Sequence, residues 1–168
     1  MNSVIAANSF RFIVLVFVQV LICNHINFLG YINPYIYILF IILFPVKNNR
    51  LLFVFLGFVL GLTVDMFLDT GGIHAAASVG IAYARPLLLK SSFGTVYEYQ
   101  NIKFDLVDFG SKLTYIILVT IVHHLILFSL EIFSISKILL ILQKALFSSI
   151  FTILLCVLLT IIFSRKTK

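Results

Sequence analysis

The sequence predicts an all-α, polytopic integral membrane protein: a bundle of about six transmembrane helices forming a single domain over residues 1–168. Three observations predict it. Of the residues, 62% are hydrophobic and only 11% charged, whereas a soluble domain carries about a quarter charged. A chain of 168 residues cannot hide that excess inside a water-soluble globule, because a small domain leaves too much surface exposed. The apolar residues also gather into runs near the ~20 residues a helix needs to cross hydrocarbon, and the basic residues fall between those runs.

The first run covers residues 9–28 and is interrupted by Gln19. Arg11 is its only basic flank and no small-x-small cleavage pattern follows, so a retained span is expected rather than a removed signal peptide. The second, residues 34–46, opens at Pro34, which suits a first helical turn. At ~1.5 Å per residue it reaches only about 20 Å, short of the ~30 Å hydrocarbon core. It either crosses with local thinning or re-enters, and crossing is preferred because the charge distribution requires it. The remaining runs are 51–68, 73–89, 113–130 and 138–163, the last long enough to tilt or to begin outside the hydrocarbon.

Six crossings bring both termini to one side. That side receives Arg11, Lys47, Arg50, Arg85, Lys90, Lys103, Lys112, Arg165, Lys166 and Lys168, leaving Lys137 opposite and Lys144 within the last run. The bias of basic residues toward the cytoplasm then predicts that both termini are cytoplasmic. The net charge of +6 is thus topology; no basic patch with interleaved aromatics suggests nucleic acid. Cys23 and Cys156 fall inside apolar runs and read as small buried hydrophobes, without a disulfide framework or zinc spacing. The cytoplasmic loop, about residues 90–112, contains "SSFGTVYEYQNIKFDLVDFGS". It is too aromatic for a free linker. It lies along the membrane surface, docks a partner, or covers helix ends as a partly ordered loop.

Within this oil, "GLTVDMFLDTGGIHAAA" carries Asp65, Asp69 and His74. Gly57, Gly61, Asp65 and Asp69 recur every four residues and form one stripe on the third helix. Glycines on such a stripe admit a close neighbouring helix. A charge at the bilayer centre costs ~2.5–3.5 kcal/mol on insertion scales. Asp65 is therefore expected to face the bundle and find a partner, either His74 across the turn or a polar group on the first or fifth helix. Structural pinning of the packing is preferred to transport or catalysis. Asp69 reads as a solvated turn residue beside glycine. No second His-rich segment completes a metal shell around Asp65, Asp69 and His74, so neither metal nor cofactor is expected.

His123 and His124 are neighbours on the fifth helix, about 100° apart. One is expected to face the bundle and the other lipid or a partner chain, as hydrogen-bonded packing rather than a proton relay. Glu131 at the outer end of that helix reads as an interface anchor. Arg85 precedes Pro86, so a kink or early helix end is expected there, with the guanidinium snorkelling toward lipid phosphates or a cytoplasmic partner. The chain has no Walker loop, GxSxG, HExxH or dinucleotide fingerprint. An enzyme is not expected.

Taken in order, "GYINPYIYILFIILFP", "NNRLLFVFLGFVLGLTVDMFLDTGGIHAAASVGIAYARP" and "YIILVTIVHHLILFSLEIFS" resemble the rod shape-determining MreD family over nearly the whole chain. The most specific part is Gly57 to Pro86. The resemblance implies a multi-pass protein of the bacterial inner membrane, similar in fold to the S component of energy-coupling-factor transporters. It implies a scaffold or regulator of cell-wall elongation that supports rod shape and peptidoglycan synthesis. The implied partners are MreC most directly, and through it the actin-like MreB, RodA and its transpeptidase. Gly57, Gly61, Asp65, Gly71, Gly72, His74 and Arg85 are motif positions with no catalytic role implied. The third and fourth helices are expected to dock a partner's transmembrane helix. The alternative is a small-molecule carrier or transporter substrate-binding subunit, with Asp65 and His74 facing a wet pocket.

Overall fold

The computed structural model describes residues 2–28, 30, 32–46, 49–94 and 107–163. Its helices are α1 (Asn2–Leu21), α2 (Leu39–Leu43), α3 (Arg50–Leu68), α4 (Ile73–Phe93), α5 (Phe109–Ile132) and α6 (Ile138–Phe163). Among the described residues there is no strand beyond the isolated bridge Phe28–Ile32. The aromatic segment at 91–111 falls largely outside the described residues. Its two ends belong to helices, because α4 continues to Phe93 and α5 begins at Phe109.

Among the described residues, four segments are long and apolar enough to cross a membrane: Ala6–His25, Arg50–Leu68, Phe109–Ile132 and Ile135–Ile162. They are apolar on both sides. On α3, Phe53, Gly57, Leu60, Gly61, Val64 and Asp65 are buried, while Leu51, Phe55, Phe58, Leu62 and Met66 are exposed. Water would not tolerate that outer face, whereas lipid tails are as apolar as leucine.

The fourth helix is not among those four, and its composition explains why. Its buried residues from His74 to Arg85 are His74, Ala75, Ala77, Ser78, Ile81, Ala82 and Arg85, all but Ile81 small or polar, and they meet protein rather than lipid. Gly61 faces the backbone of His74 and Ala75 so closely that an added Cβ would come within 2.4 Å of the His74 carbonyl oxygen. Gly57 lies against Ala82 and Ser78. The glycine stripe is therefore filled by the chain's own α4. Pro86 lies inside α4, which continues to Phe93; the expected early end does not occur.

The second apolar run departs furthest from expectation. A 3-10 turn at Ile36–Ile38 leads into the five-residue α2, and residues 36–42 are almost wholly buried. Pro34 and Tyr35 precede the helix instead of opening it. The Pro34 carbonyl accepts from Gln19 Nε2 at 3.1 Å, and the Tyr35 amide donates to Thr152 Oγ1 at 3.0 Å. Non-helical backbone at membrane depth is tolerated where protein satisfies it. The segment is an inner plug: Tyr37 at its start contacts Gln19 and His74, and Leu43 and Phe44 at its end contact Arg11 and Arg85. It thus descends alongside α4 from His74 to Arg85, roughly 16 Å at ~1.5 Å per residue.

Candidate functional site

Among the described residues, the ionisable groups of the interior form two clusters along α4, one at its start and one at Arg85, about three turns further on. At the first, α3 ends where Asp69 adopts a left-handed conformation, φ 55°, and its amide bonds the Asp65 carbonyl. Gly71 and Gly72 follow at φ 66° and 97°, a conformation that favours residues without Cβ. The chain turns so tightly that α4 begins directly over the Asp65 carboxylate. Oδ1 accepts from the His74 amide at 3.0 Å and from the Thr70 hydroxyl, and Oδ2 accepts from the Ala75 amide at 2.8 Å. The first amides of a helix have no partner within it. Asp65 supplies one from the preceding helix, with a negative charge at the positive end of the helix dipole. The expected partners of Asp65 are His74 across the turn or a polar group on the first or fifth helix; the structure pairs it with the Thr70 hydroxyl and with the main chain of His74 and Ala75.

The His74 ring points elsewhere. Its Nδ1 lies 3.0 Å from the Tyr37 hydroxyl, which lies 2.6 Å from His123 Nε2. Both His123 and His124 are fully buried, so the expectation that one meets lipid or a partner chain fails. Residues 100° apart both face protein here because α5 is flanked by α4 and the α2 segment on one side and α6 on the other. His124 Nδ1 bonds the Thr120 carbonyl at 2.7 Å, and its Nε2 lies 3.2 Å from Thr152 Oγ1 on α6. A carbonyl can only accept, so neutral His124 carries its proton on Nδ1 and offers Nε2 as acceptor. Thr152 Oγ1 has a single proton, for which His124 Nε2 and the Ser148 carbonyl at 2.8 Å compete. The pairing of a hydroxyl with an imidazole resembles a nucleophile with its base, but both groups are 0% exposed.

Further along α4, eight residues before its last residue Phe93, Arg85 turns inward and is 4% exposed. It does not snorkel. Its Nε donates to Tyr115 Oη at 3.0 Å, its Nη2 to the carbonyls of Ile42 and Phe44, and its Nη1 to the Pro45 carbonyl at 3.4 Å. Those carbonyls belong to the last turn of α2 and the residues just beyond it, where no helical amide reaches them. A cation at the negative end of a helix is the mirror of Asp65. The Phe53 ring lies 4.6 Å beneath the guanidinium carbon.

Of the other candidates, Glu131 pairs with Lys144 at 2.9 Å, joining α5 to α6. Asp69 is exposed at its turn. Among the described residues, no group of three or more His, Cys, Asp or Glu is arranged to hold a metal ion. Gln19, Tyr37 and Thr152 were not singled out as site residues. Gln19 and Thr152 carried a signal, since each is polar within an apolar run and each is 0% exposed. An apolar groove of about 240 Å³ lies between α1 and α3, against Phe12, Val16, Thr63 and Phe67. A second, of about 120 Å³, lies beside Arg85. Asp65 and His74 line neither. No family model, curated protein or solved structure matches this chain.

Proposed function

We propose that this chain is a non-enzymatic integral membrane scaffold and regulator of the MreD kind. It would cross the bacterial inner membrane six times with both termini in the cytoplasm. It would bind MreC through its transmembrane helices, and through that contact act on MreB, RodA and the transpeptidase to support rod shape and peptidoglycan synthesis. The sequence resemblance suggests the family, and one observation favours a scaffold within it. Asp65, the acid a reaction or a transport step would need, has both oxygens engaged by the turn and first amides of α4. A group so committed holds a shape.

The partner's helix would meet the outward faces of α3 and α4, where Phe55, Phe58, Tyr83 and Leu87 are exposed, since the glycine seam is already filled. Depletion from the native host is expected to widen or round the cells, and the tagged chain is expected to recover MreC from a detergent extract. Unaltered cell width with no recovery of MreC would contradict the proposal. Saturable small-molecule binding, weakened by Asp65→Asn, would favour the carrier instead.

A further inference from the structure

The groove beside Arg85 has a chemistry of its own. Its volume is about 120 Å³, and Pro45, Val46, Arg50, Phe53, Arg85 and Pro86 line it. Metabolite pockets run from about 300 Å³ upward, so this one accepts a small group rather than a whole cofactor. Two guanidinium groups border it, and among the described residues neither meets a carboxylate. Arg50 is exposed; its partners are the Tyr83 carbonyl at 3.4 Å and the Tyr83 ring at 4.8 Å. Arg85 is buried with carbonyl and phenol partners, and Nη1 has only the Pro45 carbonyl at 3.4 Å for its two hydrogens. Carbonyl dipoles solvate a cation without neutralising it. Two fixed positive charges therefore share one small cleft, each held over an aromatic ring.

We propose that Arg50 and Arg85 form a binding site for a phosphate group, carried either by an anionic phospholipid headgroup or by soluble phosphate. Arginine suits this role because its planar fork matches two phosphate oxygens at once. The ring contacts hold both forks in place beforehand, which lowers the ordering cost of binding. Arg11 reaches the Leu43 carbonyl at this same end of the bundle, so the site lies in its basic end. The inference is independent of any partnership with MreC.

The test uses the full-length purified protein and reads the midpoint of thermal unfolding together with lipid retained through purification. The probes are phosphatidylcholine vesicles with and without phosphatidylglycerol, and inorganic phosphate in lipid-free micelles. Arg50→Gln is the informative variant because it leaves the Arg85 contacts with α2 intact. Lys137→Gln removes one exposed charge at the opposite end and serves as the control. Phosphatidylglycerol should raise the midpoint of the wild type and of Lys137→Gln. Arg50→Gln should bind it roughly tenfold more weakly, as expected for one lost charge-assisted hydrogen bond. Stabilisation by phosphatidylglycerol alone identifies a lipid headgroup, and stabilisation by inorganic phosphate as well identifies a soluble ligand. Equal binding by Arg50→Gln and Lys137→Gln, or no stabilisation by either probe, would overturn the proposal.

Discussion

The two buried charges beside α4, Asp65 at its start and Arg85 in its second half, solve the same problem with opposite signs, and they differ in how completely they solve it. At Asp65 an acid meets a helix start, and the carboxylate accepts from two amides and a hydroxyl in a closed turn. At Arg85 a base meets the end of α2, but two of its four hydrogen bonds are 3.4 Å long and a groove remains beside it. The comparison separates an ion that completes a structure from one that completes a structure and has capacity left over. Both answer why so apolar a chain retains such groups. In lipid no water satisfies a helix terminus, so a side chain from another element must.

Removing the acid should cost most. Asp65→Ala leaves two amides of α4 without partners and should lower stability by about 3–4 kcal/mol, read as the unfolding midpoint in detergent. Gly61→Leu comes next: its side chain would run into the His74 and Ala75 backbone, and overpacking of this kind costs about 3 kcal/mol. That variant should disturb the bundle itself, so loss of partner recovery with full native stability would break the assignment of the glycine seam to α4. At the second site, Arg85→Lys keeps the charge but loses the fork and the Tyr115 bond, for about 2 kcal/mol. A loss as large as that of Asp65→Ala would erase the difference between the two sites.

Smaller effects sharpen the same picture. Gly71→Ala meets open space at φ 66°, so only the left-handed backbone resists it, at about 1 kcal/mol. Glu131→Gln breaks a pair whose side chains are 39% and 22% exposed, and should cost at most about 1 kcal/mol.

The helical class was legible because composition and run length answer to the solvent. The glycine stripe was legible because four-residue spacing fixes one face of a helix. Neither says what covers that face. Whether α4 or a partner helix fills the seam depends on the turn at Asp69, Gly71 and Gly72, whose left-handed backbone brings His74 back over Gly61. The reading of His123 and His124 failed for a related reason: angular separation excludes a shared face but not two buried ones. Arg85 was expected at the surface because a long side chain at a helix end commonly reaches water. The open carbonyls of Ile42 and Phe44 reverse that preference, and they exist because α2 is much shorter than the apolar run that contains it. Gln19 broke an apolar run in plain view, yet its purpose depends on Pro34 and Tyr37, which only the folded chain brings near.

The most direct test follows amide hydrogen exchange at His74 and Ala75 in the wild type and in Asp65→Ala, with Leu88 and Leu89 on the same helix as internal reference. The account predicts slow exchange at all four in the wild type and, in the variant, rapid exchange at His74 and Ala75 while Leu88 and Leu89 stay slow. Unchanged protection at His74 and Ala75 would mean that the carboxylate does not hold the start of α4, and the structural role assigned to the buried acid would fall.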